Sequence, residues 1–252
     1  MKILVTGATG LIGAHSTAAL LRAGFLVRLF VRNAEKLNRV LAPFGFGEEN
    51  VEVVVGALDD SAAIEEALSG CDGLLHCAGI FSPDPDAAEL LLKTNVEGTR
   101  LVLKAAESAQ LERVVYVSSI LSLFPPVSDV MCAEDAVAEP NEMYAATKAA
   151  NQNMTRSWSK ELGRQGVRVV GVGPGIMETT SMRSPAYEES LAYTRGISAE
   201  ELREKYGSTS SIPMGRSGKL SEVADLVVFL ASDRASYIHG TTVNISGGKS
   251  RG

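Results

Sequence analysis

The chain has 252 residues, 45% of them hydrophobic, and a formal net charge of −6. That acidic balance argues against a nucleic-acid partner or an anionic membrane surface, because either usually needs a basic patch. The longest apolar runs are too short to cross a bilayer and no presequence is evident, and three cysteines without C-x-x-C spacing predict a reduced, cytoplasmic chain.

Strand-like runs alternate with helix-like stretches along nearly the whole sequence. Seven runs are continuous in apolar character, as expected for strands buried on both faces of a parallel sheet. They cover residues 3–5, 27–31, 51–55, 73–77, 114–117, 167–172 and 241–245. The alternation predicts right-handed βαβ units, and therefore an α/β fold: a single doubly wound, Rossmann-type domain over residues 1–252 with a mostly parallel seven-stranded sheet and helices on both faces.

Helices are predicted over 11–23, 60–68, 90–109 and 142–164. The last is the longest and most periodic, and an apolar or small residue recurs in it every four positions. These residues are Ala146, Ala150, Met154, Trp158 and Leu162. The spacing predicts that they form the buried stripe of this helix.

Two long connections, 120–143 and 176–217, interrupt the pattern, and the second contains one predicted helix at 199–206. Each follows the carboxyl end of a strand, where open α/β sheets bind ligands. Loops of this length are usually functional, so both are predicted to line a substrate pocket. Apolar candidates there are Phe124, Met131, Met177, Met182, Tyr187 and Tyr193, and Arg183 or Arg195 are candidates for meeting a carboxylate or phosphate.

A glycine-rich turn, Thr-Gly-Ala-Thr-Gly-Leu-Ile-Gly at 6–13, joins the first strand to the first helix. Gly7 permits the tight turn, Gly10 lets backbone approach a pyrophosphate, and Gly13 lets the helix pack closely on the strand. The helix N-terminus offers free N–H groups to the phosphates. The turn predicts a dinucleotide site that also includes Thr9, Leu11 and Ile12.

The second strand ends at Arg32, where NAD-binding chains usually carry an acidic residue for the ribose 2′-hydroxyl. A guanidinium can instead pair bidentately with a 2′-phosphate, and Lys36 adds a second positive charge. The alternative is a solvated arginine at a strand end. The sequence favours NADP (NADPH), with NAD as the less favoured cofactor.

Tyr144 and Lys148 lie at i and i+4 and therefore share one face of the longest predicted helix. A neighbouring ammonium favours the phenolate and suits the phenol to acid–base chemistry. The fifth strand ends in Ser118 and Ser119, and either hydroxyl could donate to a substrate carbonyl, since strand alternation sends them to opposite faces. Alone, the Tyr-x-x-x-Lys spacing is equally compatible with a surface pair.

Together these motifs resemble the short-chain dehydrogenase/reductase family over essentially the whole length. The resemblance implies that Tyr144 is the general acid–base and that Lys148 tunes it and binds the nicotinamide ribose. It implies further that Ser119 orients the carbonyl and that Asn95, in Thr-Asn-Val-Glu-Gly-Thr at 94–99, supports a water relay.

The resemblance also extends the predicted cofactor site and shows where this chain departs from the family. The added residues are Leu58, Cys77, Ala78, Gly79, Pro174, Gly175, Ile176 and Thr179, the last expected at the nicotinamide carboxamide. Ala57 replaces a frequent aspartate near the adenine, while His76 and Cys77 replace asparagines. N-terminal motifs resemble the extended, dihydroflavonol-reductase-like branch and C-terminal motifs the short, ketoacyl-reductase-like branch.

The leading hypothesis is an NADP(H)-dependent carbonyl reductase or alcohol dehydrogenase acting on a ketone, aldehyde or secondary alcohol. Alternatives are an NAD-dependent nucleotide-sugar epimerase or dehydratase, disfavoured because little chain follows Tyr144, and a non-catalytic NADP-binding regulator. No metal is predicted, because His15 and His239 have no ligand pattern around them. The family resemblance implies a homodimer or homotetramer paired through helices 90–109 and 142–164.

Overall fold

A computed structural model describes residues 1–82, 84–123, 143–180, 183–194, 196–209 and 211–249. Seven strands, continuous in apolar side chains, form its centre. They are Lys2–Thr6 (β1), Leu26–Val31 (β2), Glu52–Val55 (β3), Gly73–His76 (β4), Arg113–Val117 (β5), Arg168–Pro174 (β6) and Thr242–Ile245 (β7). They make one sheet of order β3-β2-β1-β4-β5-β6-β7 in which every neighbouring pair is parallel. The predicted doubly wound sheet is confirmed.

Helices connect the strands on both faces of the sheet. They are Leu11–Arg22 (α1), Leu37–Leu41 (α2), Ser61–Leu68 (α3), Ala88–Leu91 (α4), Thr99–Ser108 (α5), Met143–Leu162 (α6), Pro185–Thr194 (α7), Ala199–Tyr206 (α8) and Leu220–Ala231 (α9). Asp60 caps α3 by accepting a hydrogen bond from the Ala63 N–H at 3.1 Å. Among the described residues, no helix has both the length and the apolar character needed to span a membrane.

The structure differs from the sequence prediction in two helical regions. The predicted helix 90–109 is α4 and α5 joined by a π-helical segment, Leu92–Gly98, which widens the helix around Asn95. The helix α7 was not predicted, because its apolar residues do not repeat at helical spacing. Of the predicted pocket residues, Phe124, Met131, Met182 and Arg195 lie outside the described residues, as does most of 120–143.

Two apolar cores sandwich the sheet. One lies under α1 and α9 and includes Val5, Leu75 and Val117 from the central strands. The other lies under α3 and α5 and includes Leu4, Leu74 and Val114, which point to the opposite face. The site described below lies where both cores end, at the carboxyl edge of the sheet.

On the second face, the residues that follow the apolar layer are polar. Thr6, His76 and Tyr116 are register partners on β1, β4 and β5, and all three are about 1% exposed or less. Strand alternation gives them the same direction as Leu4, Leu74 and Val114, two residues earlier. We call Thr6, His76 and Tyr116 the polar row.

Helix α6 packs above this region with a face that the sequence pattern did not predict. Its buried residues are Ala145, Thr147, Lys148, Asn151, Thr155, Ser159 and Leu162. Of the predicted stripe only Leu162 is buried, whereas Ala146, Ala150, Met154 and Trp158 are partly exposed. The stripe prediction was therefore wrong. Polar side chains are buried here because the helix and the polar row provide hydrogen-bond partners, which an apolar-periodicity argument does not take into account.

Candidate active site

At the end of β1, the glycine turn brings the backbone of Gly7 close to the backbone of Ala78. Gly7 has φ +71°, and its carbonyl accepts the Gly10 N–H at 2.9 Å. A methyl group on Gly7 would lie 2.6 Å from the Ala78 nitrogen, and one on Gly13 would collide with the Gly7 carbonyl. No side chain fits at Gly7 or Gly13, so the backbone lies close-packed there and the first N–H groups of α1 stand open to a ligand.

A cleft of about 460 Å³ runs from this turn along the ends of β2, β3 and β4. It gathers many of the predicted cofactor residues, namely Gly7, Thr9, Gly10, Arg32, Leu58, Cys77, Ala78 and Gly79. Ala57 also lines the cleft, and at this position it offers a ligand only a methyl group and its backbone. An open helix N-terminus beside glycines with no room for a Cβ fits the pyrophosphate of NAD(P).

Other predicted cofactor residues lie beside this cleft rather than in its lining. Gly13 packs beneath the turn, and Ile12 packs against the core of the first face. Leu11, the first residue of α1, is 47% exposed. Lys36 is exposed and does not line the cleft.

Charged side chains stand at the two sides of the cleft. Arg32 is exposed at the end of β2 and has no hydrogen-bond or ion-pair partner among the described residues. Across the cleft, the Lys93 Nζ pairs with an Asp59 carboxylate oxygen at 2.9 Å. The Lys93 charge is thus balanced locally, whereas the Arg32 guanidinium remains available to an anionic group.

Lys148 connects α6, the end of β5 and the cleft. Its Nζ lies 5.8 Å from the centre of the Tyr144 ring and donates to the Val117 carbonyl at 3.2 Å. A methyl group on Gly79, which lines the cleft, would come within 3.2 Å of this Nζ. The predicted pair of Tyr144 and Lys148 therefore lies beside the predicted cofactor site.

Asn95 is fully buried, and both its amide and its carbonyl are engaged. Its side chain accepts the Ile80 N–H at 2.9 Å and donates to the Ile80 carbonyl at 3.0 Å and to the Thr147 hydroxyl at 3.2 Å. Its own carbonyl, in the π-helical segment, accepts from Thr99 and Asn151, both at 2.7 Å. Asn95 thus fixes the segment after β4 to α6.

The two serines at the end of β5 have different surroundings. Ser118 is 4% exposed, on the same strand face as Tyr116. Ser119 is partly exposed, and its hydroxyl accepts the Leu121 N–H at 3.2 Å. Of the pair, Ser119 is the more accessible to a ligand.

His76 is the centre of the polar row. Its Nδ1 lies 2.7 Å from the Thr6 hydroxyl and its Nε2 3.0 Å from the Thr99 hydroxyl. Since Thr99 donates to the Asn95 carbonyl, its oxygen must accept from Nε2–H, and Nδ1 then accepts from Thr6. Burial, with a smaller effect of Lys148, lowers the pKa of His76 to about 3, so the ring is neutral.

The loop after β6 holds the remaining predicted cofactor residues outside the 460 Å³ cleft. The Gly175 N–H donates to the Ile245 carbonyl at 2.9 Å, and Ile176 packs beside α7 and α8. Thr179 has φ +60°, an uncommon conformation for a β-branched residue. Pro174 ends β6 and leads into this loop.

Phe81 is a site residue that the sequence reasoning missed. Its ring meets the Tyr144 ring edge-on at 5.1 Å between centroids, and the Tyr187 ring of α7 at 6.0 Å. It thereby joins the phenol ring to α7, which lies within the predicted substrate segment 176–217. Its position two residues after Gly79, at the carboxyl edge of the sheet, was the available signal.

Arg183, a predicted anion-binding candidate, is engaged within the protein. It donates to Glu188 at 2.7 Å and to the Ser217 hydroxyl at 2.8 Å, and its guanidinium lies 4.3 Å from the centre of the Tyr206 ring. Glu188 also accepts from Arg203 at 2.7 Å. Burial raises the pKa of the Glu188 carboxyl, but the two arginines outweigh it and hold that pKa below its ordinary value. The cluster ties α7 to α8.

Known proteins resemble this chain over nearly its full length. A family model described as enoyl-(acyl carrier protein) reductase matches residues 7–250. Sorbitol-6-phosphate 2-dehydrogenase of Klebsiella pneumoniae is 38% identical over 99% of this chain and 96% of its own length. The 2-(S)-hydroxypropyl-CoM dehydrogenase 3 of Xanthobacter autotrophicus is 31% identical, covering 98% of this chain and 95% of its own.

A solved structure shares the fold. An actinorhodin polyketide ketoreductase variant crystallised with NADPH superposes with a TM-score of 0.78 at 23% identity, over 100% of this chain and 97% of its own. The parallel sheet, the glycine turn and the full-length matches agree with one another. The chain belongs to the short-chain dehydrogenase/reductase family of NAD(P)-dependent oxidoreductases.

Proposed function

We propose that this protein transfers hydride between NADP(H) and a ketone, an aldehyde or a secondary alcohol, with Tyr144 as the general acid–base. The observation that carries the proposal is the position of Lys148, which reaches the Tyr144 ring, the end of β5 and Gly79 of the cofactor cleft at once. When bound, the nicotinamide supplies or accepts the hydride. The protein's own groups handle the proton and hold the substrate.

In the reductive direction, the Tyr144 hydroxyl donates its proton to the carbonyl oxygen of the substrate. The Lys148 ammonium stabilises the phenolate that remains, and Ser119, the accessible serine, donates a second hydrogen bond to the same oxygen. Phe81 holds the phenol ring edge-on and so restricts where that oxygen can bind. Asn95 keeps the segment after β4 fixed to α6.

The preference for NADP(H) rests on Arg32. The Arg32 guanidinium borders the cleft and has no protein partner among the described residues. The end of β2 also lacks the acidic residue that NAD-binding chains usually carry there. A 2′-phosphate would supply the missing partner through two charge-assisted hydrogen bonds. Replacing Arg32 should therefore weaken NADPH binding and leave NADH binding nearly unchanged.

The experiment compares Arg32→Ala with a matched control, Arg39→Ala, an exposed arginine that does not line the cleft. Loss of a hydrogen-bonded charge pair predicts that KM for NADPH rises about ten- to a hundredfold in Arg32→Ala. The control should match the wild-type protein with both cofactors. A wild-type protein that uses NADH as efficiently as NADPH would contradict the preference.

The substrate side is proposed to be formed by 120–143 and 176–217. A kinetic screen of ketones, aldehydes and secondary alcohols with both cofactors tests the reaction class. Phosphorylated polyols belong in the screen because the K. pneumoniae relative is a sorbitol-6-phosphate 2-dehydrogenase. Cofactor binding without turnover on the whole panel would contradict the proposed reaction.

We also propose a homodimer or homotetramer, which light scattering of the purified protein would detect.

A further inference from the structure

Helix α7 carries a buried carboxylate that holds two arginines. The side chain of Glu188 is 4% exposed. Each of its oxygens accepts a hydrogen bond at 2.7 Å, one from the Arg183 Nε and one from the Arg203 Nε. A carboxylate at this depth is costly unless it is paired, and here both oxygens are engaged. Without the Glu188 charge, two neighbouring guanidiniums would be left to repel each other.

The two arginines connect this carboxylate to other segments of the chain. Arg203 belongs to α8, whereas Arg183 precedes α7 and also donates to the buried Ser217 hydroxyl at 2.8 Å. The Arg183 guanidinium further lies 4.3 Å from the centre of the Tyr206 ring in α8. Glu188 therefore anchors α7 both to α8 and to the segment that precedes α9.

The position of α7 reaches the Tyr144 phenol through the residue before Glu188. Glu188 and Ala192 are one turn apart on α7, and both are buried on the side that packs against α8. Successive helix residues point about 100° apart, so Tyr187 faces another side. There its ring meets the Phe81 ring at 6.0 Å between centroids, and the Phe81 ring meets the Tyr144 ring at 5.1 Å.

We propose that Glu188 is a positioning residue for the Tyr144 phenol. It fixes α7, and α7 holds the Tyr187 ring against Phe81, which in turn holds the Tyr144 ring. Charge-assisted hydrogen bonds make the first link directional, and the edge-on aromatic contacts transmit the position of α7 to the phenol. Small displacements of a reacting group are costly in rate, so this anchor should matter to turnover. The inference rests on the proposed role of Tyr144 as the general acid–base.

The anchoring role is tested with Glu188→Gln, which keeps the size of the side chain and removes its charge. Glu52→Gln is the matched control, because Glu52 also bonds two cations, Lys2 at 2.6 Å and Arg28 at 2.8 Å, but at the amino end of β3. Hydrogen exchange of residues 185–194 should accelerate about tenfold or more in Glu188→Gln alone. Unchanged exchange there would overturn the anchoring role, whether or not the protein has the proposed activity.

Kinetics separate positioning from a purely structural role. With kcat expressed per titrated NADPH-binding site, unfolded protein does not count. We expect kcat of Glu188→Gln to fall about tenfold, because the proton donor is held less firmly. KM for NADPH should stay unchanged, since no residue of α7 or α8 is among the described residues that line the cofactor cleft. A wild-type kcat per site would overturn the positioning role, and Glu52→Gln should show that value.

A double-mutant cycle tests whether the effect passes through Phe81. Phe81→Leu removes the aromatic contact to both tyrosine rings, so its own kcat should be reduced. If Glu188 acts through that contact, Glu188→Gln should lower kcat by less than about twofold in the Phe81→Leu background. A second full tenfold loss in that background would overturn the proposed route.

A milder variant, Arg203→Met, covers the case in which Glu188→Gln does not fold. Arg203 is 46% exposed, and its loss leaves Glu188 paired with Arg183. We expect kcat per site to fall about two- to threefold, with KM for NADPH unchanged. Wild-type kcat in both variants beside an inactive Tyr144→Phe would overturn this inference alone, whereas an active Tyr144→Phe would overturn the proposed function.

Discussion

The two faces of the sheet differ at its carboxyl edge. On the face under α1 and α9, apolar side chains continue to the strand ends, as Val5, Leu75 and Val117 show. On the other face, the apolar layer gives way to the polar row of Thr6, His76 and Tyr116. Both faces are equally buried, but only the second holds Asn95 and Lys148.

The difference indicates a division of labour. The apolar face stabilises the fold through burial of apolar surface, which is not a directional interaction. The polar row instead uses directional hydrogen bonds, from Thr6 through His76 and Thr99 to the Asn95 carbonyl, to fix the helices that carry the site. Changes on the first face should therefore affect stability alone, whereas changes on the second should affect stability and turnover.

The largest expected loss of stability comes from the apolar face. Leu75 is 1% exposed, and Leu75→Ala should cost about 2–5 kcal/mol of the free energy of unfolding, through lost burial and the cavity left behind. Measured per folded molecule, kcat should remain that of the wild-type protein. Urea denaturation with parallel kinetics checks both, and a reduced kcat without loss of stability would contradict the division.

On the polar face, His76 should make stability depend on pH. Its pKa is lowered from 6.5 to about 3 in the folded protein, so between these values the unfolded chain binds the proton and the folded chain does not. The free energy of unfolding should fall on acidification below pH 6.5, by up to about 1.4 kcal/mol per pH unit from this group. Stability from this group is complete above pH 6.5.

The measurement compares wild type with His76→Asn by urea denaturation across that pH range. Carboxylates contribute equally in both proteins, so the difference between the two slopes isolates His76. The variant should lose stability less steeply on acidification. Equal slopes would show that His76 takes up protons in the folded state as readily as in the unfolded one.

The smallest expected effect is that of Thr99→Val, which keeps the side-chain shape and removes the hydroxyl between His76 and Asn95. The imidazole N–H loses its acceptor, at a cost of about 1–2 kcal/mol. The Asn95 carbonyl keeps its bond from Asn151, so the site should weaken without collapsing. A modest fall in kcat should accompany the lower stability. If both kcat and the free energy of unfolding stayed at wild-type values, the polar row would have no positioning role.

Local sequence patterns predicted the strands of the sheet and the glycine turn well. All seven strands were placed to within two residues at each end, because buried parallel strands are continuous in apolar character. The glycine turn was placed correctly because its conformational needs are met by the glycines themselves. The edge of the sheet that bears the site followed from the topology.

What the sequence did not reveal depends on contacts across the fold. The polar burial of Asn151 and Ser159 on α6 depends on partners elsewhere in the structure, so apolar periodicity selected the wrong face. The edge-on contact of Phe81 with Tyr144 joins segments more than sixty residues apart. Arg183 looked available in the sequence, but Glu188 and Ser217 bind its guanidinium in the structure.

The most direct test of the proposed reaction is the turnover of Tyr144→Phe with NADPH and the best carbonyl substrate of the screen. Loss of the proton donor should lower kcat by about 10²–10⁴-fold while NADPH binding persists. Tyr237→Phe, at a fully exposed position outside the proposed substrate segments, serves as the control and should retain wild-type kcat. A Tyr144→Phe variant with near wild-type kcat would contradict the account.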